Sequence, residues 1–340
     1  MLLEYLLISC TVVFAVKIST PLFIKKKWLD NSGARKKHIG SIPVNGGIAM
    51  FIGFFIGYVF FNGIYENFLI LLICSGLILL LGFLDDITDL SAQSRMLAQT
   101  MVILIAYSFG MIQISSFGNI LGNSLLTFND WSLIITLLAF MAGMNAQNLV
   151  DGIDGLSSGT AIITISSIAF LALNAHMNQI VIISLIYLSI LIPFLYLNLS
   201  LNKIFMGDSG SLFIGFGVAW LLISSAQGEL AFFKPITALW IYAMPLLDII
   251  SVIIIRLNLR KSPFQPDHSH IHNQIMLKLK VSSRKALAFI LLTSAIFAVI
   301  GITMEISNTP EWLMFTLLMA IFLIYTIYVI SAQDKKSLSV

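Results

Sequence analysis

The sequence has little charge and almost no cysteine. Only 10% of its 340 residues are Asp, Glu, Lys or Arg, whereas a typical soluble domain carries about 25%, and its mean hydropathy is +0.97. This composition excludes a water-soluble globule. The two cysteines, Cys10 and Cys74, both fall in apolar runs, so we interpret them as small core residues rather than as a disulfide or a metal-binding pair.

The sequence also lacks the alternation of polar and apolar residues that the strands of a membrane β-barrel require. Instead, about eleven apolar stretches reach the ~20 residues that a bilayer helix needs. They predict an all-α polytopic membrane protein with spans at 2–24, 46–64, 67–84, 96–113, 131–147, 158–175, 179–197, 210–226, 235–256, 286–304 and 313–331. No hydrophilic stretch between the spans is long enough for a separate domain, so we expect residues 1–340 to form a single domain.

Most cations fall on one side of the membrane when the chain is threaded through these spans with its N-terminus outside. The inner segments then hold 17 of the 19 Lys and Arg residues, and only Lys17 and Lys234 are left over. Because cations are retained on the cytoplasmic side, we predict that the N-terminus lies on the outer side of the membrane and the C-terminus in the cytoplasm. Acids at the same inner helix ends favour a polyanionic substrate bound through a divalent metal: Asp85, Asp86, Asp89, Asp151, Asp154, Asp208 and Asp267.

One apolar span runs directly into three acids, Asp85, Asp86 and Asp89. Adjacent carboxylates repel each other unless they are solvated or bridged by a cation. The run therefore indicates either a cation site or a solvated helix end. Arg95 follows on the next helix, where it either binds a phosphate oxygen or anchors the topology.

Two further inner loops combine acids or amides with glycine. The first, at 145–159, carries Asn148, Asp151 and Asp154 among glycines that allow the backbone to approach a ligand closely. Its side chains can take a nucleobase edge, ribose hydroxyls or a metal, and it lacks the ligand register of a Ca²⁺ loop. In the second, Asp208 opens the eighth span between glycines, as either a helix cap or a metal ligand.

The longest basic loop carries His268, His270 and His272 at alternate positions. In an extended segment these imidazoles point to one side, which fits a zinc site or, with the surrounding cations, a pyrophosphate. We favour the pyrophosphate because no fourth zinc ligand is near. Asp248 lies within the ninth span, about two turns before Arg256, and is either a functional residue or a buried polar partner for a neighbouring helix.

Together these motifs resemble the polyprenyl-phosphate N-acetylhexosamine-1-phosphate transferase family, which includes the bacterial MraY and WecA enzymes. The resemblance covers nearly the whole chain and rests on five motifs in order: R-K-K-H-I-G-S-I-P-V-N-G-G at 35–47, D-D-x-x-D at 85–89, N-x-x-N-x-x-D-G-x-D-G at 145–155, G-D-x-G-S at 207–211 and H-x-H-x-H at 268–272. The first and last motifs look more like the WecA branch, which uses UDP-N-acetylglucosamine, than like the MraY branch, which uses UDP-muramoyl-pentapeptide. One departure is Asn273, where the WecA branch often has His.

The resemblance implies a reaction between two polyanions at the cytoplasmic face of a bacterial inner (cytoplasmic) membrane, which puts the N-terminus in the periplasm and the C-terminus in the cytoplasm. Undecaprenyl phosphate would attack the sugar-bearing phosphorus of UDP-N-acetylglucosamine, giving undecaprenyl-pyrophosphoryl-N-acetylglucosamine and UMP as the first step of a cell-surface polysaccharide. The implied cofactor is Mg²⁺, with Mn²⁺ as a substitute, held by hard oxygen ligands. The expected partners are these two substrates and the lipid bilayer, without nucleic acid, and a homodimer is compatible with the sequence.

The same resemblance gives roles to residues at the metal and the pyrophosphate. It implies that Asp208 holds the metal with Asn148 nearby, and that Asp208 belongs to the catalytic set. It implies that Arg95 and either His270 or His272 bind the pyrophosphate.

Further implied roles concern the uracil and the lipid phosphate. Asp154 would bind the uracil end. Asp85 is the candidate catalytic residue toward the lipid phosphate, with Asp86 beside it, and whether Asp85 removes a proton, acts as a nucleophile or orients the metal stays open. The remaining substrate-binding candidates are Lys37, His38 and Asp151.

Two other interpretations stay open. The same chemistry could use another UDP-N-acetylhexosamine, because no motif identifies residues that would contact the hexosamine. A secondary transporter for an anionic solute also has spans with internal Gly, Pro and ionisable residues. Transporters bind near the bilayer midplane, however, whereas almost every charged motif here falls at the predicted cytoplasmic boundary.

Overall fold

The computed structural model describes residues 1–31, 41–110, 112–200, 203–228, 231–258 and 270–337. These ranges are mainly helical, and a short antiparallel hairpin pairs Leu29–Asn31 (β1) with Ser41–Pro43 (β2). The α-helices in these ranges are Leu2–Lys26 (α1), Gly46–Phe61 (α2), Phe68–Thr88 (α3), Ala92–Gly110 (α4), Ser132–Val150 (α5), Leu156–Asn174 (α6), Asn178–Leu199 (α7), Gly207–Ala226 (α8), Pro235–Ile241 (α9), Ala243–Asn258 (α10), Ile271–Leu279 (α11), Ser283–Ile306 (α12) and Glu311–Ser337 (α13).

Seven helices in the described part of the chain are long and apolar enough to cross a membrane, and a bent pair raises the number to 8. The seven are α1, α3, α5, α6, α7, α8 and α12, and the bent pair is α9 with α10. This confirms an all-α polytopic membrane protein. Each of the eleven predicted spans contains helix, but eleven crossings and a single domain over 1–340 stay predictions.

Helix α8 forms the centre of the bundle. All residues of its 18-residue apolar segment are buried, whereas only 22% of the corresponding segment of α1 is buried. Helix α8 packs on α2, α3, α5 and α6. A Cβ on Gly82 of α3 would lie 2.5 Å from the Asp208 carbonyl oxygen, and one on Gly215 would lie 2.7 Å from the Cα of Met144 in α5. Small residues thus let the backbones approach closely, which holds the start of α8 between α3 and α5.

The ninth predicted span, 235–256, is broken into two helices. Helices α9 and α10 meet at 82°, and Pro245 lacks the N–H that would continue the helical ladder across the break. The hydroxyl of Tyr242, at the break, lies 3.0 Å from Oε1 of Gln147 in α5. The bend sets α10 against α5 and α12, and it places Asp248 beside the first residue of α11.

Several helix ends meet at one end of the bundle. The backbone N–H groups of Gly46 and Gly47, at the start of α2, donate to the carbonyls of Phe205 (3.0 Å) and Met206 (3.2 Å), just before α8. The Phe205 N–H donates in turn to the Pro43 carbonyl at 2.9 Å. The hairpin and the start of α2 therefore fix the segment that leads into α8.

The two cysteines differ in exposure. Both are free, Cys74 is buried and Cys10 is exposed. The prediction that Cys10 is a core residue is wrong, because most of the surface of α1 faces away from the bundle.

Candidate active site

Three of the predicted motifs meet where α3 and α5 end and α8 begins. Asp85 and Asp86 lie in the last turn of α3, Asn148 in the last turn of α5, and Asp208 in the first turn of α8. Arg95 lies in the first turn of α4. Hydrogen bonds and ion pairs join these five residues into one set, which we call the acidic cluster.

Arg95 bridges two carboxylates of the acidic cluster. Its Nη1 lies 2.7 Å from Oδ2 of Asp85 and 3.5 Å from Oδ2 of Asp208. The second oxygen of Asp85 accepts the Leu90 N–H at 2.8 Å. Because the Asp85 side chain is only 5% exposed, against 34% for Arg95 and 36% for Asp208, a ligand from outside can reach Arg95 and Asp208 while Asp85 is covered.

Asp86 caps helix α8 from the neighbouring helix α3. Its Oδ1 accepts the backbone N–H of Asp208 at 2.8 Å and its Oδ2 that of Ser209 at 3.1 Å. The first N–H groups of a helix have no partner within the helix, and Met206, at the N-cap position, supplies no side-chain cap. A cap role for Asp208, the other sequence interpretation, is therefore wrong, since Asp86 fills that role.

Gly207 makes this cap possible. It has φ +68, which favours glycine, and a Cβ there would lie 2.5 Å from Oδ2 of Asp86. The glycine before Asp208 in the sequence thus gives the Asp86 carboxylate room to reach the helix terminus.

Asn148 is oriented toward Asp208. Its Nδ2 donates to Oδ1 of Asp208 at 2.8 Å and to Oγ of Ser211 at 2.9 Å. One turn earlier on α5, Asn145 donates to Oε1 of Gln99 in α4 at 3.1 Å. The two amides of the predicted loop therefore anchor α5 to α8 and to α4.

The acidic cluster carries an excess of negative charge. Its three carboxylates and one guanidinium leave a formal charge of −2, and the positive end of α8 stabilises the carboxylate of Asp86. No three His, Cys, Asp or Glu side chains among the described residues are grouped so that they alone could hold a metal ion. The cluster thus attracts a cation, but it would have to share that cation with oxygens from a ligand or from water.

The loop between α5 and α6 lies against the segment that leads into α8. The N–H of Gly155 donates to Oδ1 of Asn198 at 2.7 Å, and the amide of Asn198 donates to the Ile204 carbonyl at 2.8 Å. Asp154 forms an ion pair with Lys203 in the same region, and Asp151 is exposed. Asp154, which is predicted to bind the uracil, and Asp151, a further predicted substrate-binding residue, therefore lie at the same end of the bundle as the acidic cluster.

The described histidines of the H-x-H-x-H tract are buried, and Asp248 holds the first of them, His270. His270 Nδ1 lies 3.1 Å from Oδ2 of Asp248, whose Oδ1 accepts the Ile271 N–H at 2.8 Å. The rings of His270 and His272 are parallel, with centroids 5.8 Å apart. The His272 ring lies directly against the backbone of Gly152. The start of α11 thus adjoins the loop that carries Asp151 and Asp154.

Three predicted residues, Lys37, His38 and His268, lie outside the described residues. Conversely, three contacts of the site involve residues that the motifs do not single out: Gln99, Asn198 and Lys203. For Gln99 and Asn198 the available signal was an amide in or beside an apolar span, since a buried amide needs a hydrogen-bonding partner. The sequence does not reveal what that partner is.

The fold and the acidic cluster define a polytopic membrane protein with a polar site at one end of its helices. The model of glycosyl transferase family 4 matches residues 68–226, from the start of α3 to the end of α8. Together with the relatives given next, which are at least 34% identical over most of the chain, this match shows that the chain belongs to glycosyl transferase family 4, as its resemblance to the polyprenyl-phosphate N-acetylhexosamine-1-phosphate transferases predicted.

Three relatives carry the same printed name, undecaprenyl-phosphate alpha-N-acetylglucosaminyl 1-phosphate transferase. The chain is 35% identical to the Yersinia pestis protein over 313 residues, which is 91% of this chain and 86% of the relative. It is 34% identical to the Escherichia coli (strain K12) protein over 333 residues, covering 94% and 90%. It is 35% identical to the Haemophilus influenzae protein over 314 residues, covering 89% and 86%.

Proposed function

We propose that this protein transfers N-acetylglucosamine 1-phosphate from UDP-N-acetylglucosamine to undecaprenyl phosphate and releases UMP. The names of relatives aligned over most of the chain support this reaction. The structural observation that carries it is the Arg95 guanidinium shared between Asp85 and Asp208 at a helix end that ligands can reach. A phosphate can take the place of a carboxylate at such a guanidinium.

Charge repulsion is the main obstacle in this reaction. An oxygen of the lipid phosphate forms a bond to the sugar-bearing phosphorus, the phosphoanhydride bond breaks, and the bridging oxygen leaves with UMP. At an effective dielectric of about 20, each pair of unit charges 4 Å apart costs about 4 kcal/mol. Catalysis therefore depends on groups that neutralise the phosphates and hold them in line.

Mg²⁺ fits the donor set of the acidic cluster. Mg²⁺ is commonly bound through one or two carboxylates together with substrate phosphates and water, and a formal charge of −2 on the acidic cluster suits a divalent cation. Asp208, with Asn148 beside it, would hold the ion, and Mn²⁺ offers a substitute. When bound, the ion supplies positive charge to the phosphoryl oxygens.

Arg95 and Asp85 act in sequence in this proposal. The pyrophosphate binds Arg95 and draws the guanidinium away from Asp85. The freed Asp85 carboxylate then accepts the proton of the lipid phosphate, while attack proceeds in a single step. His270 or His272, at the start of α11, adds a donor to the pyrophosphate.

The nucleoside end of the donor would lie over the loop between α5 and α6. Asp154 would hydrogen-bond the uracil, with Asp151 beside it. The ion pair between Asp154 and Lys203 would have to open first. Lys37 and His38 are proposed as further substrate-binding residues on the strength of their motif.

The site is proposed to face the cytoplasm of a bacterium from its inner membrane. Cations lie at the same helix ends as the acidic cluster, including Lys25, Lys26, Arg95 and Lys203, and cations are retained on the cytoplasmic side. Combined with the eleven crossings predicted from the sequence, this orientation would place the N-terminus in the periplasm and the C-terminus in the cytoplasm. A homodimer stays a prediction.

The reaction is tested with the purified full-length protein in detergent or nanodiscs. UDP-N-acetylglucosamine, undecaprenyl phosphate and Mg²⁺ should together release UMP, and omitting the lipid or adding EDTA should stop the release. A panel of UDP-N-acetylhexosamines assayed side by side identifies the donor. Absence of UMP release with every donor, or uptake of an anionic solute into liposomes without UMP release, would overturn the proposed function.

A further inference from the structure

We propose that Asp248 is a positioning residue, which fixes the proton and the orientation of His270 at the anion-binding site and sets the start of α11. The contact is a feature of the fold, and its link to turnover rests on the proposed function, in which the His270/His272 pair binds the pyrophosphate.

One carboxylate holds two consecutive residues. Oδ2 of Asp248 lies 3.1 Å from Nδ1 of His270, and Oδ1 accepts the backbone N–H of Ile271 at 2.8 Å. Asp248 and His270 are 3% and 8% exposed. The ring of His270 and the backbone immediately after it are thus both fixed by the same buried side chain.

Asp248 is an unlikely residue for its surroundings unless it has a specific task. It lies on α10, half of the broken ninth span, and lines a mainly apolar cavity together with Val150, Met244 and His272. Ionisable residues inside membrane helices are costly and face a partner in the bundle. Because the contacts described for both Asp248 oxygens are made to 270–271, these contacts require the start of α11 to stay in place.

The contact determines where His270 carries a proton. An ionised carboxylate only accepts hydrogen bonds, so Nδ1 of His270 must donate and therefore carry hydrogen. Carboxylates that hold histidine in this way set both the tautomer and the ring orientation. Nε2 of His270 is then the ring nitrogen left for a ligand.

The effect extends to the second histidine. The ring of His272 lies parallel to that of His270 and directly against Gly152, in the loop between α5 and α6. Asp248 therefore fixes the position of the histidine pair relative to the loop on which the proposed nucleotide site depends.

Asp248→Asn separates a positioning role from simple helix capping. Asn and Asp are equally good N-caps, so a capping residue would tolerate the change. An amide, however, carries an NH2 donor where the carboxylate has its second oxygen, so Asn cannot accept the Ile271 N–H at one side-chain atom and the His270 Nδ1–H at the other. We expect Asp248→Asn to lower kcat/KM for UDP-N-acetylglucosamine by about 10- to 100-fold, mainly through KM, with a melting temperature close to that of the wild type.

The matched control is Ser251→Ala, one turn further along α10. Ser251 is buried, but its hydroxyl bonds only to the Leu247 carbonyl of its own helix among the contacts described, so its loss should leave kcat/KM within about twofold of wild type. A double variant adds a second test. If Asp248 acts through His270, Asp248→Asn with His270→Gln should be no worse than His270→Gln alone.

A spectroscopic measurement keeps the inference independent of turnover. In ¹⁵N-histidine-labelled protein in lipid, the His270 signal, assigned by its loss in His270→Gln, should show a protonated Nδ1 that Asp248→Asn abolishes. An unprotonated Nδ1 in the wild type, an unchanged signal in the variant, or losses that multiply in the double variant would overturn the proposal. If the wild-type protein releases no UMP, the proposed function is wrong. The spectrum would still show whether Asp248 and His270 are hydrogen-bonded.

Discussion

Asp86 caps the helix that carries Asp208. The two residues are 122 positions apart in the sequence, yet Oδ1 of Asp86 accepts the Asp208 N–H at 2.8 Å. The adjacent Asp85 has a different task, since it pairs with Arg95. The two neighbouring carboxylates thus divide their work: one sets the backbone position of Asp208, and the other holds the guanidinium that Asp208 also contacts.

We expect the two substitutions Asp86→Ala and Asp86→Asn to differ. Alanine removes the cap of α8 and should lower the free energy of unfolding by about 1–2 kcal/mol, with a large loss of turnover because Asp208 shifts. Asparagine can cap as well as aspartate and should keep most of the stability and part of the activity. Thermal unfolding and UMP release measured on the same samples compare the two variants.

The matched control for Asp86→Asn is Asp130→Asn, which makes the same chemical change at an exposed position before α5. It should leave both measurements unchanged. Wild-type stability of Asp86→Ala would show that the cap does not hold α8.

The substitution Asp208→Asn should remove turnover while the protein still inserts and folds. The amide loses the charge that attracts a cation and that faces Arg95 at 3.5 Å, so we expect kcat to fall by about 100-fold or more. Initial UMP release rates over a range of Mg²⁺ concentrations measure this effect. Normal kcat at a standard Mg²⁺ concentration would remove Asp208 from the scheme, and the same criterion applies to Asp85→Asn.

The substitution Arg95→Lys should retain folding but not full activity. Lysine keeps one positive charge but lacks the planar fork that reaches two oxygens, so we expect kcat/KM to fall by about tenfold or more. Arg95→Gln should also lower stability, because it leaves the covered Asp85 carboxylate without its cation.

A double-mutant cycle checks the origin of the Arg95 effect. If the loss of stability comes from an uncompensated charge, Asp85→Asn should restore part of the melting temperature in the Arg95→Gln background. Additive losses in the double variant would instead mean that the two side chains act independently.

The substitution Gly82→Ala should destabilise the crossing of α3 and α8. The new Cβ would lie 2.5 Å from the Asp208 carbonyl oxygen and from the Ser209 Cα, both of which are backbone atoms, and overpacking of this kind costs about 1–3 kcal/mol. Thermal unfolding followed by tryptophan fluorescence should therefore shift to lower temperature, with a loss of UMP release.

Gly76→Ala, on the same helix, is the matched control for Gly82→Ala. Its Cβ would lie 3.1 Å from the tip of the Phe51 ring, a side chain that can move. An equal loss of stability in both variants would show that the close approach to α8 is not the cause.

The adjacent acids Asp85 and Asp86 show how far sequence patterns reach. The motif predicts that both belong to the site, and both do lie in the acidic cluster. It does not predict their separate partners, because successive residues on a helix point in different directions and the partners lie on α4 and α8. The same limit applies to Asp248, for which the sequence left a functional role and a structural role open.

The sequence by itself determined the class of the protein, because the length and apolarity of each span are local properties that the bilayer selects without reference to other helices. It also determined the family, since the motifs and their order are properties of the chain. Only the tertiary structure decided the break at Tyr242, the cap that Asp86 provides for α8, and the pairing of Asp248 with His270. Each of these depends on which helix lies next to which, and that depends on the packing of the whole bundle.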